Sequence, residues 1–219
     1  DKKVIGMPVA DGPLANKTIT GFVDEVSRDT PDPGGGSIAA LAGAMGSALA
    51  SMGVHLSVGK GEFDRQYDEL CQLAEKAQAI KDELVRAIDA DTEAFNEVIA
   101  GMRMAKDTAE QLALRSEVIR AGYKSAAEVP LQTAELCRQV LDLCQAAANI
   151  GNMAVMSDAG VGALMALAGV QGAVHNVRIN LPHTKDAEFI EQMQARLGTL
   201  VSESRDICDS IQRQVESGF

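Results

Sequence analysis

At 219 residues the chain is long enough for one domain with a real core; 46 % of it is apolar, only 3 % is aromatic, and there is no Trp. Such a core has to be aliphatic, Ala-rich and Met-rich, which is the composition of an all-α helical bundle. The formal net charge of −11 argues against a nucleic-acid binder, and any anionic substrate would need a local basic patch set against that field.

Residues 1–17 have no amphipathic period and contain Pro8, Gly12 and Pro13, so they read as a tail or linker with one short extended piece at Val4-Ile5. The first residue is Asp rather than Met, which fits a tag or a longer chain removed. No signal peptide is expected, and the body is read as residues 18–219. Thr18 or Thr20 is placed to cap a short helix through Ser27, with Ile19, Phe22, Val23 and Val26 on its inner face.

Pro31-Asp32-Pro33-Gly34-Gly35-Gly36-Ser37 then makes a loop, with Ser37 the expected N-cap of a helix over Ile38–Val58. No charged residue occurs in that helix, and Ala39, Gly43, Gly46, Ala50 and Gly53 recur at spacings of three and four. This bare stripe lets neighbouring backbones approach closely, so the helix belongs at the centre of the bundle. About 20 apolar residues would suffice to cross a membrane. Here much of the run is Ala, Gly and Ser, His55 sits inside it and no basic cluster flanks it, so no membrane partner is expected. Backbone N–H groups of Gly34, Gly35, Gly36 and Ser37, at the positive end of the helix, suit an anion or a developing oxyanion.

Gly59-Lys60-Gly61 breaks the helix. From Glu62 to about Ala100, Leu70, Leu73, Ala77, Ile80, Leu84, Ala87, Asp91, Ala94 and Val98 form one stripe, apolar except for Asp91. Asp89 is turned about 200° away and reads as a solvated surface charge. Asp91 should be desolvated, which raises a carboxyl pKa toward the range of a general acid or base. The plainer alternatives are that Asp91 caps a neighbouring helix or pairs with a buried Arg.

Thr108 with Gln111 predicts a capping box and a helix to about Ala127; Pro130 predicts a new helix running to Ala147. Ser157 or Asp158 should cap the next helix, which carries His175 on its inner side and is ended by Asn176 to Pro182. A last helix spans Lys185 to about Ser217. Cys137 and Cys144, about 10 Å apart along a helix axis, cannot bridge each other. The cysteines read as buried thiols of a reducing, cytoplasmic setting. No cluster has metal-ligand spacing, so no metal is expected.

In order along the chain stand Phe22-x-x-Glu25, Pro33-Gly34-Gly35-Gly36-Ser37-Ile38-Ala39-Ala40, Gly59-Lys60, Asp91-x-x-Ala94-Phe95, Val129-Pro130-Leu131, Ser157-Asp158 and Asn176-Val177-Arg178-Ile179-Asn180-Leu181. This ordered set resembles the formiminotransferase-cyclodeaminase C-terminal family over about residues 18–215. The resemblance implies an all-helical homodimer with a folate cleft partly made at the dimer interface. It makes Asp91 the catalytic candidate. It makes the glycine loop, Lys60, Asp158, Asn176, Arg178 and Asn180 substrate-binding candidates. It also implies a tetrahydrofolate derivative as substrate rather than a bound cofactor, and a formiminotransferase domain or protein as a partner. The implied reaction is the cyclodeaminase step from 5-formimino-tetrahydrofolate to 5,10-methenyl-tetrahydrofolate plus ammonia. The cyclohydrolase reaction on the same site, and a non-catalytic folate-binding or assembly homodimer, are the alternatives. Lys60, Arg103, Lys106 and Arg178 are the basic residues to test against folate carboxylates. Asp32, His55 and His175 depart from the family pattern and bear on substrate identity.

Overall fold

The computed structural model describes residues 12–30, 32–61 and 66–218. The expected extended piece at Val4-Ile5, Pro31 and the expected helix start at Glu62 lie outside these. Six helices follow in order: α1 (Ile19–Val26), α2 (Gly35–His55), α3 (Tyr67–Arg103), α4 (Ala109–Asn149), α5 (Met156–Thr184) and α6 (Ala187–Ser217). A 3-10 turn, Met153–Val155, leads into α5. Among the described residues there is no strand.

α2 lies against α3, α4 and α5. Its small-residue stripe makes that possible. A Cβ on Gly46 would stand 2.7 Å from the Gly162 carbonyl oxygen of α5, and one on Gly169 would stand 3.0 Å from the Ala39 carbonyl oxygen of α2. The two backbones therefore touch, and dispersion between main chains replaces interdigitated side chains. Around this seam Leu84, Val140, Leu141, Val170, Leu181, Leu197 and Ile211 are fully buried. Each contributes roughly 1.5–3 kcal/mol through burial. α6 closes the far side of α4 and α5.

Three expected boundaries and two expected faces are corrected. α4 is one 41-residue helix with Pro130 inside it, not two helices. A proline cannot bond the carbonyl four residues back. That carbonyl, Ala126 O, instead accepts from Asn180 Nδ2 of α5 at 2.8 Å. α5 likewise runs through Asn176–Pro182 to Thr184, and no side chain caps its start. α2 begins at Gly35 with Gly34 as N-cap, so Ser37 is inside the first turn rather than at the cap. Its hydroxyl donates to the Ile88 carbonyl at 2.7 Å. On α1, Phe22 is buried but Ile19 and Val23 face outward. His175 is exposed, because the phase of α5 is set by Gly169, Ala173 and Val177 facing inward.

The capping box at Thr108 and Gln111 is present, as is the Thr18 cap of α1. α2 and the stretch Met153–Thr184 are long and apolar enough to cross a membrane, yet 67 % of the α2 window and 50 % of the second are buried in the fold. What they leave exposed is a stripe rather than a circumference: Ile38, Met45, Met52 and Leu56 on α2, and Val161, Leu164 and Ile179 on α5.

Candidate active site

The site forms where the N-terminus of α2 meets the middle of α3. Asp91 projects from α3 onto Gly36, and a Cβ on that glycine would overlap the carboxyl group. The Ser37 main-chain N–H faces the Asp91 carboxylate and favours its charged form. Asp91 thus caps α2 from a neighbouring helix, and an acidic residue from outside takes the role expected of Ser37. The catalytic and capping readings of Asp91 describe the same contact.

Burial pushes the Asp91 pKa above the ordinary carboxylate value, the negative charge of Asp32 pushes it further, and the Ser37 N–H opposes both. Asp32 is itself raised by burial. It belongs to the loop that brings the chain into α2. A cavity of about 360 Å³ opens against Asp32 and Pro33 and is walled also by Lys17, Glu25, Asp89, Thr92 and Glu93; Asp91 itself does not line it. Thr92 Oγ1 is buried there without a hydrogen-bond partner. On the other side of the loop, Asn176 of α5 lies against Gly35, and its Nδ2 donates to the Gly172 carbonyl at 2.9 Å.

Asp89 is the largest correction. It is 8 % exposed, not solvated. Its two oxygens accept from the Leu14 N–H at 2.8 Å and the Ala15 N–H at 3.1 Å. It fastens the turn at 13–16 onto α3. The stripe argument missed this because the covering segment has no periodicity of its own.

The structure therefore brings together Gly34, Gly35, Gly36, Ser37, Asp91 and Asn176. Asn180 is one turn further along α5, engaged with Ala126 O and, at 2.9 Å, with Asn176 O. Arg178 is exposed on the outer face of α5 with His175 and Ile179. Lys60 and Asp158 are not near Asp91 in this chain. Lys60 follows the C-terminus of α2, which is about 30 Å long at 1.5 Å per residue. Asp158 stands in the first turn of α5, at that same end, where Val155 packs on Gly53. Two site residues carried weak sequence signals: Asp32 stood out as a departure from pattern, and Thr92 adjoins Asp91.

Residues 18–199 match the formiminotransferase-cyclodeaminase family. The chain belongs to that family. A methenyltetrahydrofolate cyclohydrolase of Methylorubrum extorquens is 38 % identical over 92 % of this chain and 97 % of its own length. The formimidoyltransferase-cyclodeaminase of Mus musculus is 34 % identical over 88 % of this chain, which spans only 36 % of that longer protein. A crystal structure of a formiminotetrahydrofolate cyclodeaminase from Thermotoga maritima superposes with a TM-score of 0.83, covering 93 % of this chain and 98 % of the other at 23 % identity, which establishes the fold. The all-α architecture expected from composition is that of the family.

Proposed function

We propose that this family member is an enzyme of tetrahydrofolate one-carbon chemistry, acting as a methenyltetrahydrofolate cyclohydrolase with Asp91 as its proton-transfer group. The observation that carries the reading is the Asp91 carboxyl itself. It is partly desolvated, raised in pKa and fixed against the N-terminus of α2. The choice of reaction rests on the similarity to a cyclohydrolase along nearly the whole of both chains.

In the cyclohydrolase reaction water attacks the methenyl carbon, and Asp91 takes one water proton as the carbon–oxygen bond forms. The neutral tetrahedral intermediate collapses with cleavage of the carbon–N5 bond. One proton goes from Asp91 to N5, the second is released, and 10-formyl-tetrahydrofolate leaves. Proton transfer by a positioned carboxyl is worth roughly 10²–10⁴-fold. Thr92 and Asn176 flank the reacting carbon, and the glycine loop lets the substrate approach the backbone.

The cyclodeaminase reaction, which the ordered motifs imply first, is the second reading, favoured by the names of the longer relatives. There N10 attacks the formimino carbon, Asp91 removes the N10 proton and returns it to the departing ammonia. A formimidoyltransferase, as a domain or as a separate protein, is the partner that reading requires.

The protein works as a homodimer in either case. The apolar stripes of α2 and α5 lie side by side, and among the described residues no element covers them. A two-fold axis across this face runs α2 of one copy antiparallel to α2 of the other. That sets the Lys60 and Asp158 end of one subunit against the Asp91 end of its mate, joining candidates that one chain keeps apart. Four free cysteines, three of them buried, suit a cytoplasmic setting; burial holds the Cys137 and Cys144 thiols at about 12.

The test is turnover by purified protein, with the methenyl chromophore followed on 5,10-methenyl-tetrahydrofolate and on 5-formimino-tetrahydrofolate separately. Accelerated loss of chromophore from the first is expected. Its appearance from the second, with ammonia, would establish the cyclodeaminase instead. Tight folate binding without turnover would point to the carrier or assembly module, and no binding at all would refute the reading.

A further inference from the structure

We infer that the pocket between the first turns of α4 and the ends of α3 and α5 binds a small organic phosphate monoester, at a site separate from Asp91.

Arg115, Ile119 and Tyr123 follow one another at intervals of four and so share one face of α4, with Arg120 beside them. The C-terminus of α3 brings Met102 to that face, and the C-terminus of α5 brings His183 and Lys185. Together they enclose about 470 Å³. Tyr123 and His183 stack at 4.5 Å between ring centroids, so one wall is a flat aromatic surface. Toward Asp91 the bundle is closed. Ala94, Val98 and Ala126 are buried there and pack with Tyr123 and Val129.

The charges in this pocket are unspent. Arg115, Arg120 and Lys185 line it, and none of them forms an ion pair with a described carboxylate. A pocket of about 420 Å³ between α4 and α6 differs in this respect, since its Arg196 is paired with Glu135. Arg115 donates from Nη2 to the Met102 carbonyl at 3.1 Å, while its buried Nε–H has no acceptor among the described residues. Arg120 donates from Nε to the Ser116 carbonyl at 3.2 Å, and no described residue accepts from its two terminal nitrogens. The Ser116 hydroxyl is spent on the Leu112 carbonyl, so the free donors of the arginine and lysine lining are cationic. Glu117 lies in the neighbouring hollow with Lys124 and Asp186, and those two pair with each other.

Lys185 carries a second signal. It ends α5 at φ 54° and ψ 30°, the left-handed conformation in which glycine is the usual residue. A side chain kept at such a position points to a use for that side chain. Here the use is a third cation at the mouth of the pocket.

The charge balance selects the ligand. Two helix C-termini face the pocket, each equivalent to about half a negative charge, so they offset about one of the three cations. About two positive charges remain. A phosphate monoester carries about −1.5 to −2 at pH 7 and presents three acceptor oxygens, which two guanidinium groups and an ammonium can share. A carboxylate carries one charge and two oxygens and leaves a cation unmet. Met102, Ile119 and the aromatic wall then receive the organic group that the phosphate esterifies.

The test titrates the purified chain with phenyl phosphate, inorganic phosphate and benzoate by calorimetry. Phenyl phosphate should bind once per chain, at least about tenfold more tightly than either of the others. Arg120→Gln should weaken it about tenfold, as expected for one lost charge-assisted contact. Lys185→Gly should weaken it about as much while Tm stays level or rises, because glycine suits the left-handed position. Arg196→Gln should change nothing. No saturable binding of phenyl phosphate, or an affinity unchanged in both Arg120→Gln and Lys185→Gly, overturns the site. A loss in Arg196→Gln as large as in Arg120→Gln overturns it too, since surface charge alone would then be at work. Equal affinity for inorganic phosphate overturns the ester, and equal affinity for benzoate overturns the phosphate. Displacement of phenyl phosphate by 5,10-methenyl-tetrahydrofolate overturns the separation from Asp91.

Discussion

Asn180→Ala is expected to destabilise the protein by about 1–3 kcal/mol, the cost of leaving a buried carbonyl without its donor. Ala126, whose oxygen accepts from Asn180 Nδ2 at 2.8 Å, is 5 % exposed, so water cannot replace the amide. The second acceptor of Asn180, Asn176 O, is the ordinary i−4 helix position and keeps its main-chain donor. In a protein of this size 1 kcal/mol corresponds to about 2–4 °C in Tm. The decisive variant combines Asn180→Ala with Pro130→Ala. Alanine at 130 has the N–H that proline lacks, and it restores the bond to Ala126 O within α4. The loss from Asn180→Ala should then shrink by about 1 kcal/mol, read as the interaction energy of a double-mutant cycle in urea unfolding. Additivity within about 0.5 kcal/mol would refute the coupling of Pro130 and Asn180. A collapse of turnover per folded molecule at unchanged stability would make Asn180 a substrate contact instead.

Other perturbations give outcomes of equal clarity. An acid whose folded pKa is raised supports the fold fully below its unfolded value, 3.8 for Asp91, and that support is lost as pH rises through the folded pKa. Asp91→Asn should therefore flatten stability across that window and be the more stable protein at neutral pH while losing at least about 10²-fold in turnover; an unchanged rate would end the proposed role. Asp32→Asn removes the neighbouring charge, so the Asp91 limb of the kcat/KM profile should move to lower pH; no movement would show that burial alone sets it. Gly46→Ala puts a methyl 2.7 Å from Gly162 O and should cost about 1–3 kcal/mol or more in urea unfolding, whereas Gly198→Ala, with nothing within 4 Å, should gain about 0.5–1. Inactive Asp91→Asn and Lys60→Ala subunits, unfolded together and reassembled, should recover about a quarter of wild-type activity, since half the dimers are mixed and each holds one intact site. Recovery of none would place Lys60 outside the site.

What was legible in the sequence was what repeats. The small-residue spacing of α2 and the apolar stripe of α3 are periodic, and they located the central helix and singled out Asp91. What stayed hidden depends on contacts far along the chain. Pro130 reads locally as a break, and only Asn180, fifty-four residues after Ala126, makes a continuous helix tolerable. Asp89 reads as a surface charge until the turn at Leu14 and Ala15 covers it. Ser37 has the right chemistry for an N-cap, but α2 begins two residues earlier, at Gly35, and the Ser37 hydroxyl is spent on the Ile88 carbonyl.

The glycine loop has a different use from the one its motif suggests. Open N–H groups at a helix N-terminus invite an anion, but here the chain supplies its own, Asp91. A carboxylate so placed should be an ordinary strong acid, since the N–H donor and the helix dipole both favour its charge. Burial and Asp32 act in the opposite sense and prevail. The position thus balances opposing influences on a single proton, which is what a group that must first accept and then return one requires. Asp32 sits on one side of that balance. It raises the Asp91 pKa, and so strengthens the carboxylate as a base, without touching the contact that holds it to α2.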